Sequence, residues 1–284
     1  MNDYLLSFIL GIIEGLTEFL PISSTAHLRI SEALLGVNLQ DGYWKMFSIV
    51  IQLGAILCLP LYFRRRIAEF LSSFPNGIRG DRTAMTHPLT LTLLAFVCTA
   101  VPAFLLKKVI GKHLENLMLM AIALVAGGIV MWVVDAIWGE RNRSGDVESI
   151  TFGQSIWIGC CQTLSAVFPG TSRSMSTIVA GELAGMSRAT ALEFSFLLSI
   201  PTMIAATGYD LLKELRPSHE TDALSPVHID GHGWTLLVIG FVISFVVAWA
   251  VVAWFMNWVR NRGFVPFAVY RIILGIAVMI GAAR

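Results

Sequence analysis

Residues 11–27 read GIIEGLTEFLPISSTAH. In this otherwise apolar run Glu14 and Glu18 stand four positions apart, so a helix puts both carboxylates on one face, where like charges repel. A compensating group is needed there. Pro21 stops the helix after Leu20, and Ser23, Ser24 and Thr25 follow as candidate caps for a new helix start. Ser24 and His27, three apart, share a face of that second helix. A chain reversal near Pro21 then carries a hydroxyl and an imidazole to the two carboxylates, so the stretch reads as a helical hairpin with a site at its turn.

The surroundings of the hairpin are lipid. Of 284 residues, 56% are hydrophobic and only 14% charged, with a mean hydropathy of +0.72, against about 45–50% apolar residues in soluble domains. The apolar runs are helix-length rather than ten-residue alternating segments, which indicates an all-α integral membrane protein and not a barrel. A net charge of +1 argues against nucleic acid as a partner. Residues 1–20 hold no Lys or Arg, only Asp3, Glu14 and Glu18, unlike the basic start of a cleavable signal peptide, so the N-terminus is expected in the mature protein. Cys58, Cys98, Cys160 and Cys161 lie in apolar runs without CxxC spacing and read as small core residues.

Residues 28–35, with Arg29 and Glu32, are too short and too charged to cross alone. Joined to residues 4–20 they form a hairpin that enters the membrane and leaves on the same side, its turn sheltered by protein or a watery cavity. Crossings follow at 44–63, with Gln52 as its lone strongly polar interior side chain, at 89–106 and at 117–138. Arg64, Arg65, Arg66, Arg79 and Arg82 make the connection to His87 cytoplasmic. Lys107, Lys108 and Lys112 on the opposite side are an exception to that rule, and Arg141 and Arg143 mark the return.

The second half repeats the first. GCCQTLSAVFPGTS at 159–172 matches GIIEGLTEFLPISS at 11–24 at a constant offset, with Gly, Leu, Pro and Ser in step. Phe194-Ser195 then stands where Phe47-Ser48 does, after a one-residue adjustment. Further crossings are expected at 192–212, 234–258 and 265–283, with Arg260 and Arg262 at a cytoplasmic turn. Each half has a re-entrant hairpin plus three crossings; three is odd, so the halves (about 1–140 and 150–284) are inverted repeats of one membrane domain. The two proline turns are expected to face each other near the midplane. His219, His228 and His232 are too loosely spaced for a metal centre and read as solvated. Glu193 reads as an acid favouring a helix N-terminus.

Thr171, Ser172, Arg173 and Ser174 follow Pro169-Gly170 at the second turn. A buried arginine is costly in a membrane and is usually paired or bound to an anion. With hydroxyls and the free N–H groups of a helix start beside it, the group suits phosphate oxygens. The plainer reading is an ion pair of Arg173 with Glu14 or Glu18. Arg271, inside the last span, reaches the site or snorkels to the interface.

EGLTEFLPISSTAH at 14–27, PGTSRS at 169–174, EFSFLLSIP at 193–201 and FVPFAVYR at 264–271 resemble the bacterial undecaprenyl-diphosphate phosphatases of the bacitracin-resistance type. The resemblance covers essentially the whole chain. It implies hydrolysis of undecaprenyl diphosphate to the monophosphate and inorganic phosphate, with the polyprenyl diphosphate lipid and membrane lipid as partners and a homodimer as a further one. The setting it implies is the bacterial inner membrane, with the site facing the periplasm or outside. It implies a divalent cation, Mg²⁺ or Ca²⁺, at Glu14 and Glu18. Ser24 or a water attacks, His27 acts as base or leaving-group acid, and Arg173 binds phosphate. Ser23, Thr25, Thr171, Ser172, Ser174 and Arg271 complete the phosphate set. Ala26, Met175 and Ser176 depart from the residues familiar at those places, and alanine at 26 makes a left-handed turn there less favourable. The rival reading is a lipid transporter or flippase on the same inverted scaffold.

Overall fold

The computed structural model describes residues 2–37, 42–107, 116–139, 145–215 and 229–282. Lys108, Lys112, Arg141, Arg143, His219 and His228 lie outside the described residues. Those described form eleven α-helices and one short 3₁₀ turn, with no strand among them.

Helix starts follow the local chemistry. Asn2 caps α1 (Asp3–Thr17) by accepting from the Tyr4 N–H. α2 (Ser24–Leu34) starts after Ser23. α3 (Gly42–Tyr62) runs into α4 (Arg64–Ser73). His87 caps α5 (Pro88–Leu105), whose first residue is the proline that position tolerates. Asn116 caps α6 (Leu117–Trp138). Thr151 and Gln154 form a reciprocal capping box on α7 (Phe152–Val167). α8 (Arg173–Leu183) begins after Ser172, and α9 (Arg188–Leu215), α10 (Gly231–Arg262) and α11 (Val265–Ala282) complete the chain.

Five segments are long and apolar enough to cross a membrane: Gly42–Tyr62, Pro88–Leu105, Leu117–Trp138, Arg188–Lys213 and Gly231–Val259. The protein is therefore a multi-pass membrane protein. The sixth expected crossing has only the shorter apolar run Val265–Gly281.

Two boundaries differ from expectation. α1 ends at Thr17 rather than running to Leu20, because the backbone ahead of Pro21 is disfavoured in helical geometry. α9 starts at Arg188, so Glu193 lies inside it and pairs with Arg66 (Nε–Oε1 3.1 Å) instead of serving a helix N-terminus. Arg66 also holds Asp146, and Arg79 meets Asp146 and Glu148, so this end of the molecule is tied by ion pairs.

Packing positions the hairpins. α1 pairs with α2 and α7 with α8, α11 lies along α6, and α3 lies along α10. α1 docks on α10, and α7 docks on α5, by the same device. Ser7 Oγ donates to the Leu236 carbonyl (2.7 Å), and Ser155 Oγ donates to that of Leu91. One turn later Gly11 and Gly159 let the backbones close in: a Cβ on Gly11 would stand 2.9 Å from the Gly240 carbonyl oxygen, and one on Gly159 would collide with that of Ala95. The first turn is anchored in the core through Phe19, fully buried and edge-on to Phe196 of α9 at 5.5 Å.

Candidate active site

At the two turns Ser23 and Ser172 both have positive φ, +73° and +71°. Each is an N-cap whose hydroxyl accepts from the N–H three residues on, Ala26 (3.5 Å) and Met175 (3.3 Å). Such backbone at a non-glycine residue costs about 1–3 kcal/mol and persists only where the surroundings enforce it. The left-handed position is thus Ser23, while Ala26 lies inside α2. The second turn holds one residue more between proline and cap, Gly170 and Thr171 against Ile22 alone. Ser24 and Arg173 consequently occupy the same first position of their helices.

These two residues meet at Glu18. Ser24 Oγ donates to Glu18 Oε2 (2.6 Å), and Arg173 Nη2 donates to Glu18 Oε1 (2.8 Å). The other arm of Arg173, Nη1, donates to Ser199 Oγ, and Phe19 lies 6.0 Å beneath the guanidinium. The Arg173 side chain is only 10% exposed and that of Glu18 4%, so solvent screens the pair little. Ser199 Oγ in turn donates a hydrogen bond to the Ser195 carbonyl (2.6 Å). Ser195 and Thr177 share a hydroxyl contact (2.6 Å), and Thr177 bonds back to the Arg173 carbonyl (3.1 Å).

Glu18, Ser23, Ser24, Thr25, Ser172 and Arg173 are among the residues that line a cavity of about 490 Å³. Its remaining wall is largely apolar, with Phe96, Ala103, Phe104, Ala206 and Tyr209, and Lys107 also lines it. Gln162, which matches Glu14 in the repeat, spans Thr99 (2.9 Å) and Thr202 (3.2 Å) on the same wall. An anionic head beside Arg173 and an apolar tail along the wall is the kind of occupant this shape accepts.

Glu14 lies one helical turn behind Glu18, fully buried, and neither carboxylate oxygen has a hydrogen-bond partner. Two orphaned buried oxygens of this hardness fit a divalent cation. Among the described residues no group of three or more His, Cys, Asp or Glu gathers as a metal centre. His232 instead meets Tyr4 (3.1 Å) and Asp3 (3.4 Å).

Three expectations need correction. His27 does not join Ser24: its Nδ1 lies 2.7 Å from the Ser23 carbonyl and its Nε2 2.8 Å from the Tyr270 hydroxyl, because side chains in a first helical turn lean back towards the cap. Arg271 does not face the cavity. It is fully buried, and its guanidinium donates to the carbonyls of Pro21 (2.9 Å), Gly170 (3.1 Å) and Thr171 (2.9 Å), with those of Ala123 and Leu124 behind. It clamps the two turns together. Thr171 and Ser174 are likewise outside the lining; Thr171 offers its carbonyl to Arg271, and Ser174 Oγ donates to the Leu20 carbonyl (3.0 Å). Ser199 and Tyr270 were missed, though both stood in quoted motifs. The available signal was a pair of hydroxyls four apart, Ser195 and Ser199, in an apolar run.

Residues 7–277 match the protein family described as bacitracin resistance protein BacA. An undecaprenyl-diphosphatase of Koribacter versatilis (strain Ellin345) is 66% identical over 285 residues, covering 100% of both chains. One of Rhizobium johnstonii is 41% identical over 278 residues, 98% of this chain and 96% of the relative. One of Caldanaerobacter subterraneus subsp. tengcongensis is 38% identical over 273 residues, 96% of this chain and 94% of the relative.

Proposed function

The chain belongs to the bacitracin resistance protein BacA family, and from that premise we propose that it is an undecaprenyl-diphosphatase. It hydrolyses undecaprenyl diphosphate to undecaprenyl phosphate and inorganic phosphate, returns the lipid carrier to cell-wall synthesis and confers bacitracin resistance. The observation that carries the reading is Glu18 holding Ser24 on one oxygen and Arg173 on the other, in the wall of a largely apolar cavity.

In this reading Ser24 Oγ attacks the terminal phosphorus and its proton passes to Glu18 Oε2. The bond from phosphorus to the bridging oxygen breaks and the lipid monophosphate leaves. Water then hydrolyses the phosphoserine, releasing phosphate and restoring the Ser24 hydroxyl. Arg173, held by Ser199, stabilises charge developing on the phosphoryl oxygens. Glu14 would hold a divalent cation together with phosphate oxygens, and Glu18 would join by exchanging one of its present partners; when bound, such an ion supplies neutralising charge.

The scaffold is read as two inverted repeats, each with a re-entrant hairpin. The matched docking of α1 on α10 and α7 on α5 supports this, as do the matched strained caps at Ser23 and Ser172. The arginines between α3 and α5 support a cytoplasmic side for that connection, and in this reading the first hairpin then opens to the outer face of the inner membrane. A homodimer belongs to the same reading, checked by the mass of the purified protein–detergent complex.

The test is phosphate release from undecaprenyl diphosphate by purified protein in detergent, with and without divalent cation, beside Arg173→Ala. Cation-dependent release that the variant loses is expected. No release by folded wild type would sink the phosphatase reading and leave a transporter.

A further inference from the structure

α11 brings two neighbouring side chains to the first turn. Arg271 enters the carbonyl cage, and Tyr270 reaches His27, its ring at 5.6 Å and nearly parallel (12°). The Tyr270 hydroxyl stands 2.8 Å from His27 Nε2, while Nδ1 stands 2.7 Å from the Ser23 carbonyl oxygen. A carbonyl oxygen only accepts, so Nδ1 carries the proton. In the neutral ring Nε2 therefore offers its lone pair, and the phenol donates to it. The second hairpin has the same arrangement at its cap: Ser176, four residues beyond Ser172, donates to the Ser172 carbonyl (3.0 Å). In each turn the side chain four residues beyond the cap thus bonds the cap's carbonyl, through Nδ1 of His27 in the first and the Ser176 hydroxyl in the second. Ser24, meanwhile, has already directed its proton to Glu18.

We propose that Tyr270 is a positioning residue for His27: its hydroxyl holds the imidazole in the Nδ1–H tautomer with basic Nε2 turned away from Ser24. His27 then reaches a substrate oxygen only by exchanging its Tyr270 bond for one to substrate, and it is not the base that activates Ser24. The proposal rests on the phosphatase reading for its kinetic consequence but not for the tautomer itself.

Full-length protein labelled with ¹⁵N-histidine, purified in detergent, tests it. The His27 resonances are assigned by their loss in His27→Ala, and their tautomer is read by NMR in wild type and in Tyr270→Phe. Phosphate release and melting temperature are measured on the same preparations. Wild type is expected to show protonated Nδ1 and a hydrogen-bonded, unprotonated Nε2. In Tyr270→Phe the Nε2 resonance should shift and kcat should fall about 10-fold, the worth of one hydrogen bond near the upper end of its range, with KM within about 2-fold and melting unchanged. An Nε2–H tautomer in wild type would overturn the proposal whatever the variant does. So would wild-type kcat in Tyr270→Phe, or a lost rate with an unmoved Nε2 resonance. Wild type without phosphate release would defeat the phosphatase reading, and the tautomer would still decide whether Tyr270 holds His27.

Discussion

Glu18 divides its two oxygens between a hydroxyl and a guanidinium, and substitutions there separate charge from proton acceptance. Glu18→Gln keeps the shape but cannot take the Ser24 proton, so phosphate release should drop by about 10²–10⁴. Near-wild-type turnover would remove Glu18 as the acceptor. Arg173→Ala should cost about 10²–10³ in rate. Arg173→Lys should restore little of it, since an ammonium cannot fork between Glu18 and Ser199; full rescue by lysine would show that charge alone suffices. Ser23→Gly relieves a backbone strained by about 1–3 kcal/mol and loses only a few tenths as a cap, so melting temperature should rise while activity falls. A lower melting temperature would deny the strain. The meeting of Glu18, Ser24 and Arg173 was legible because few polar groups sit in so much apolar sequence, and each needs a partner. The place of His27 was not, since equal spacing on a helix does not say which way a side chain leans. Arg271 misled for a related reason: its partners are backbone carbonyls, which no residue letter announces.

The hairpins depend on close backbone approach at the element scale. A Cβ on Gly15 would stand 2.7 Å from both the Ser244 carbonyl oxygen and Val247 Cβ, so α1 could not keep its seat on α10 with a larger residue. Gly15→Leu should destabilise the protein by about 1–3 kcal/mol or more and abolish activity together with the lowered melting point. A variant that melts normally would mean the groove yields. The in-step serines and glycines on which the proposed repeat rests could be read from the chain. The one-residue difference between the turns could not, because a constant offset aligned Ser24 with Ser172, whereas the caps pair Ser23 with Ser172.

At the scale of the whole molecule, orientation and the ion taken by the site are each directly testable. A single cysteine at Asn76, which is exposed in the arginine-rich connection, should react with an impermeant reagent only after cells are opened. Labelling from outside would invert the topology. Chelation should reduce phosphate release, and Glu14→Gln should raise the cation concentration needed for half activity; indifference to both would dismiss the ion. Composition and run length settled the membrane class.

On the proposed inverted-repeat reading, the extra residue in the second turn bears on ancestry. Two half-length chains with identical turns, meeting as a symmetric pair, would set serine against serine or arginine against arginine, and neither pair could attack a phosphate and neutralise it. Lengthening one turn by a single codon moves a different residue to the head of its helix. On that reading, once the halves were joined in one gene, the shift could be kept in one copy alone, setting the proposed nucleophile on one turn and its proposed counter-charge on the other.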